Sequence, residues 1–276
     1  MCLSTLMTRN AKPLRYFFAA TLAGLLSLPF AGRADDPKPE FKFKTVVIDA
    51  GHGGKDPGAH GSFSNEKNVA LAIAKKVKAL LNDRMPEVNV IMTRSTDRFI
   101  ELNKRSEIAN QNNANLFISI HCNSSPERLT KTRGVMLLVY GLHRKEEQME
   151  ALRENASIYQ EKDYKKNYAG YNGKDPASVI ALNTFMQKYR KQSILFGELL
   201  NKQFKENDGR RSHGVKEQGV LVLAHSAMPA VLVETGYINN AGEEKYLNSD
   251  DGQNAIAASI VRAIKTYKKE INPADN

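Results

Sequence analysis

The sequence predicts a single α/β domain whose mainly parallel, roughly six-stranded sheet is flanked by helices on both faces. Three observations lead there: short apolar runs that read as buried strands, amphipathic helical patterns between them, and His and Glu residues placed where predicted elements begin or end. In open sheets of this kind functional groups gather where strands run out into loops. With 276 residues and 41% hydrophobic content, the chain can bury a substantial core.

The first strand is carried by Thr45, Val46, Val47 and Ile48 in "TVVIDAGHGGKDPGAHG", and the glycines that follow permit a tight turn around His52. Such a turn could cradle phosphate or present a metal ligand. It lacks the Lys-Ser/Thr pair of a P-loop and the glycine spacing of a dinucleotide fingerprint, which disfavours phosphate. Val69, Ile73, Val77 and Leu80 at helical spacing predict a helix starting near Glu66 and ended by Pro86. "VNVIMT" (88–93) is a short strand, and "FIELNKRSEIANQNNA" is a helix with Leu102, Ile108 and Ala109 inward. "LFISIHCN" (116–123), "GVMLLVYG" (134–141), "GVLVLAHS" (219–226) and "PAVLVETGYI" (229–238) read as further strands, and "NAIAASIVRAIKTYKKEI" as a closing helix. From about 142 to 186 no strand pattern occurs, and this stretch reads as a helical insertion laid over the domain. Loops of this length are commonly functional.

The N-terminus has a different character. Arg9, Lys12 and Arg15 precede "YFFAATLAGLLSLPFAG", followed by small residues and then acids, the layout of a secretory signal peptide over residues 1–34 with the mature chain starting near Asp35. The apolar run is short for a membrane-spanning helix. The expected location is therefore periplasm or extracellular cell wall, with no membrane attachment after cleavage. Residues 35–43 read as a linker and 44–272 as the catalytic domain. The formal charge is +10, and residues 1–34 hold four basic residues and no acid, leaving +6 on the rest. That suits anionic surroundings such as wall polymer, or simply solubility. Export and the absence of basic runs interleaved with aromatics exclude a nucleic-acid partner. Beyond Cys2 in the leader only Cys122 is present, so no intramolecular disulfide is expected in a mature monomer.

His52 follows the first strand, Glu66 opens the first helix, His121 ends "LFISIH", and Glu234 ends "AVLVE". Two imidazoles and a carboxylate with a position left for water form the ligand pattern of a catalytic zinc site. Zinc would supply both a stronger nucleophile and a Lewis acid, and a neighbouring carboxylate must then move protons; Glu234 is the candidate. Taken singly, His52 could cap its turn, His121 could be a satisfied strand end, and Glu66 could be an acid favoured by a helix N-terminus. Glu234 follows four apolar residues, where an unpaired carboxylate would be costly.

In combination the residues are more specific. "VVIDAGHGGKDPGA", "E.NVALAIAKKV", "TR..D.F..L..R...AN...A.LFISIHCN" and "MPAVLVETGYINN", in that order, strongly resemble the zinc-dependent N-acetylmuramoyl-L-alanine amidases (amidase type 3), from about Thr45 to Lys268 apart from the insertion. The resemblance implies one Zn2+ per chain held by His52, Glu66 and His121, with Glu234 catalytic, and a peptidoglycan substrate cut between N-acetylmuramic acid and L-alanine during wall remodelling or daughter-cell separation. Tyr237 replaces the family's usual phenylalanine, and Cys122 stands where a small residue is common. Some relatives carry an insertion helix whose glutamate occupies the zinc until a protein activator displaces it. "EALRENASIY" (150–159) resembles that helix, Glu154 would match the blocking glutamate, and Glu150 is the substitute one turn away. A solvated helix face is the plainer reading of the same residues. A zinc peptidase acting elsewhere in the stem peptide and a non-catalytic wall-binding module are the alternative functions. His60 matches no ligand position.

Overall fold

The computed structural model describes residues 42–126, 131–141, 148–168 and 176–272, with the backbone alone for 176–187. The leader over 1–34, most of the 35–43 linker and parts of the insertion lie outside the described residues. The strands are β1 (Thr45–Ala50), β2 (Asn89–Met92), β3 (Leu116–Asn123), β4 (Val135–Tyr140), β5 (Ser212–Gln218) and β6 (Ala230–Tyr237). They form one sheet in the order β2-β1-β3-β6-β4-β5. All neighbours are parallel except β4 and β6, which run antiparallel.

β1, β3, β4 and β6 are buried along their whole length, which is why their sequences are nearly continuous in apolar residues. Side chains alternate between two cores. Val46, Ile48 and Ala50 face a cluster containing Val69, Ile73 and Val77 of α1 (Glu66–Arg84), with residues of α5 (Pro176–Glu206) and α7 (Asp250–Ile271). Val47, Phe117 and Leu232 face the other cluster, with Leu102 and Ala109 of α2 (Leu102–Gln111) and Ala151 of α3 (Met149–Asn155). The short α4 (Tyr164–Asn167) lies beyond α3, and α6 (Ala241–Asn248) precedes α7. The first helix runs over the expected residues and ends just before Pro86.

One strand was misread. "GVLVLAHS" is not a strand: Leu221–Leu223 form a 3-10 turn, with all three side chains buried in the second cluster. A short apolar run has the same appearance in either conformation, so periodicity cannot separate them. The sixth strand is instead β5, "SHGVKEQ", a half-buried edge strand without an apolar stripe. Phe43, at the end of the stretch read as linker, is 3% exposed and meets Tyr267 edge-to-face, so the core begins one residue before the expected domain start.

Candidate metal centre and active site

Parallel strands β1 and β3 deliver His52 and His121 to one edge of the sheet, and register places His121 directly beside Glu234 on β6. Glu66 reaches the same place from the first residue of α1. His52 has φ 57°, a left-handed conformation uncommon outside glycine, which turns the chain back immediately after β1. The glycines beside it do more than permit the tight turn. A Cβ on Gly51 would fall 2.4 Å from the His121 ring, and one on Gly58 would fall 2.6 Å from both Glu66 Oε2 and His52 Cδ2. The missing side chains make room for the functional groups themselves.

Two buried arginines fix this turn. Arg94 donates to the carbonyls of Ala50 (2.9 Å), Gly51 (2.6 Å) and Lys67 (2.8 Å). Arg105 donates to Ala50 (2.8 Å) and His52 (2.7 Å) and pairs with Asp49 at 3.0 Å. Neither was singled out from the sequence, although both stand in the "TR..D.F..L..R" block that carries the resemblance. Asp49 also accepts from Thr93 and Ser119, each at 2.6 Å. Burial opposes its charge, but Arg105, Ser119 and Thr93 hold its carboxyl below the ordinary carboxylate range.

These partners determine which ring nitrogens carry hydrogen. The Ser119 hydroxyl is committed to Asp49, so it accepts from His121 Nε2 at 3.1 Å, and Nδ1 is the nitrogen turned to Glu66 and Glu154. Asp56 accepts from His52 Nδ1 at 2.9 Å, leaving the lone pair on Nε2. Both free nitrogens face carboxylates. His52 Nε2 is 3.1 Å from Glu66 and 3.3 Å from Glu154, and His121 Nδ1 is 3.0 Å from Glu66 and 2.7 Å from Glu154. Their ligand atoms all lie within 4.8 Å of one another, and all four residues are buried. His52 Nε2 and Glu154 Oε2 have no hydrogen-bond partner. Buried acceptors converging in this way call for positive charge, so the group could hold a metal ion. The histidines register the same demand. Burial opposes their protonation, but Glu66, Asp56 and Glu154 raise His52 well above its usual value, and Glu154 and Glu66 raise His121 to about 9.

Glu66 is held by main chain: its carboxylate accepts from Ala59 N at 2.8 Å and Cys122 N at 2.9 Å. Glu154 arrives from α3 inside the insertion, and its neighbour Arg153 donates to Glu154 (2.7 Å), Glu234 (2.7 Å) and Asn123 (2.7 Å). Glu234 is fully buried, its Oε2 has no partner, and burial pushes its carboxyl up to about 8 against the opposing effect of Arg153. Ser157, in the 3-10 turn Ala156–Gln160, donates to Asp56 at 2.6 Å. Glu150 does not enter the centre; it accepts from Gln218 at 2.6 Å. His60 is exposed and paired with Asn65.

The family model for N-acetylmuramoyl-L-alanine amidase matches residues 46–266. The chain belongs to the N-acetylmuramoyl-L-alanine amidase family. A relative from Buchnera aphidicola subsp. Baizongia pistaciae, to which this activity is provisionally assigned, is 35% identical over 223 residues, covering 80% of this chain and 95% of its own. The amidase AmiA of Escherichia coli K12 is 31% identical over 229 residues, covering 81% and 76%. The structure of the amidase AmiC2 of Nostoc punctiforme superposes with a TM-score of 0.57 at 31% identity, covering 82% and 97%. This amidase is thus an enzyme acting on peptidoglycan, and family membership decides against the peptidase and wall-binding alternatives.

Proposed function

We propose that His52, Glu66 and His121 hold one zinc ion, that Glu234 moves the protons of amide hydrolysis, and that Glu154 competes for the same centre and holds the enzyme at a low basal activity. The observation that carries this reading is the convergence of four buried groups able to ligate a metal, two imidazoles and two carboxylates, with the outer ring nitrogens held by Asp56 and Ser119. Nitrogen and oxygen donors in this number suit zinc. When bound, zinc supplies Lewis acidity toward the scissile carbonyl and lowers the pKa of water to about 7.

The chain's own residues do the rest. Asp56 and Ser119 hold the two imidazoles in the required tautomers and orientations. Glu234, beside His121, takes a proton from the attacking water and returns it to the leaving nitrogen as the C–N bond breaks. The products are a glycan with a free lactyl carboxylate and a peptide with a free L-alanine amine. Closure of the centre follows from ligand count: a fourth protein ligand leaves no position for water and substrate. A protein activator that withdraws α3 would restore one. The basic and apolar leader over 1–34 supports export to the periplasm or outer wall, where this substrate lies.

The test combines metal analysis of the purified protein with mass spectrometry of digested muropeptides. About one zinc per chain is expected, with new L-alanine amines and lactyl carboxylates, and Glu234→Ala should abolish their release while retaining zinc. Undiminished hydrolysis in Glu234→Ala would remove that residue from the mechanism.

A further inference from the structure

Asn123 ends β3, two residues after His121, and is 2% exposed. Its side-chain oxygen accepts from Arg153 Nη1 at 2.7 Å, while its Nδ2 is buried without a partner. The same Nη1 donates to the Ser124 carbonyl at 3.0 Å, and Nη2 of the same guanidinium donates to Glu234 at 2.7 Å. The Arg153 guanidinium therefore meets three acceptors from the adjoining ends of β3 and β6, Asn123 and Ser124 through Nη1 and Glu234 through Nη2, while Nη2 also donates to Glu154 on its own helix at 2.7 Å. Asn123, Ser124 and Arg153 border a cavity of about 500 Å³ whose lining also includes Thr132, Glu150 and Tyr237.

We propose that Asn123 is a substrate-positioning residue: Asn123 Oδ1, the Ser124 carbonyl and Glu234 form the subsite for the amino side of the scissile amide, which Arg153 fills here as a mimic of the product ammonium. This rests on the amidase reading with Glu234 as proton carrier. The chemistry matches the geometry. Water oxygen bonds to the carbonyl carbon, Glu234 carries one water proton to nitrogen, and the C–N electron pair stays on nitrogen. The proton of the resulting lactyl acid then completes the ammonium. Nitrogen goes from one N–H bond to three, and three acceptors are in place to receive them. An acceptor set that gains partners as cleavage proceeds favours the later species along the reaction. The Asn123 Nδ2 group is left to meet the carbonyl of the alanine, and the cavity takes the peptide beyond it. The insertion thus blocks the centre with an anion at the metal position and a cation at the amine position.

The probe is the dipeptide L-Ala-D-Glu with a free amine, compared with its N-acetyl form, titrated into the zinc-loaded full chain. Arg153→Met should bind the free-amine form roughly tenfold or more tighter than wild type does and than it binds the acetylated form, as expected for a charged hydrogen-bonded group. Adding Asn123→Ala should abolish that preference, and Asn123→Asp, which keeps the acceptor, should retain it even if the alanine variant folds poorly. In hydrolysis, Asn123→Ala should lower kcat more than it raises KM. Equal binding of both peptides by Arg153→Met, or a preference untouched by Asn123→Ala, would overturn the subsite. If Arg153→Met combined with Glu154→Gln, zinc-loaded, releases no L-alanine amines from sacculi, the amidase mechanism fails instead, so the two failures are distinguishable.

Discussion

Glu66 and Glu154 offer carboxylates to the same two histidines from very different supports. Glu66 opens a 19-residue helix with seven buried positions, and both its oxygens accept from main-chain N–H groups. Glu154 sits on a seven-residue helix without a side-chain N-cap, and Arg153, next to it in sequence, is the neighbour that donates hydrogen bonds to it. Around Glu154 the segment buries Ala151 in the second cluster, with Ile158 and Tyr168 packed against it, and makes polar contacts such as Ala151 N to Gln218, Asn155 to Gly219 and Leu221, and Ser157 to Asp56. Its Met149, Leu152 and Tyr159 are 59%, 67% and 69% exposed. Polar contacts exchange for water at small net cost, whereas burying a helix face contributes several kcal/mol. The first carboxylate is thus the more firmly anchored of the two, as the proposed displacement of Glu154 requires.

That contrast can be broken most sharply at Glu234, the proposed proton carrier. Glu234→Gln should reduce hydrolysis of sacculi by about 10²- to 10⁴-fold while zinc binding persists, the range for losing general acid-base catalysis. A milder effect is expected on the permanent side. Ser119→Ala removes the acceptor of the His121 Nε2 hydrogen and should weaken zinc affinity by roughly 10- to 100-fold in a chelator competition, with Ser119→Thr close to wild type. On the removable side, Ser157→Ala deletes one hydrogen bond to Asp56 and should raise basal hydrolysis only about fivefold, the equivalent of about 1 kcal/mol of docking. The smallest expected effect concerns acid stability. The depressed carboxyl of Asp49 contributes stability that is fully present above its unfolded value of about 4 and is lost as pH falls through the lower folded value. Asp49→Asn should therefore unfold with a weaker dependence on pH below about 4 in denaturant titrations.

How much was legible in the sequence follows the same division. The buried strands and α1 could be read because both faces of the sheet and one face of the helix must be apolar, and His52, Glu66, His121 and Glu234 were visible as polar residues at the ends of those patterns. β5 was not, because an edge strand half open to water needs no apolar stripe. The apolar Leu221–Leu223 turn was mistaken for a strand because burial alone sets its composition. Arg94, Arg105 and Asp49 were missed as supports of the site, since the partners that hold them there lie tens of residues away, and Ser119, two residues from His121, is fixed by an equally distant Asp49. Arg153 was hidden for another reason: in a helix rich in charge, a residue aimed at Glu234 looks like one aimed at solvent.

The most direct test compares sacculus hydrolysis by the full-length mature chain and its Glu154→Gln variant, both loaded with one zinc per chain. Without the anion at the metal position we expect hydrolysis to rise about tenfold or more, the change that follows from removing roughly 1.4 kcal/mol of closure. A folded, zinc-loaded Glu154→Gln protein whose rate is unchanged or lower would contradict a removable carboxylate that holds the centre closed.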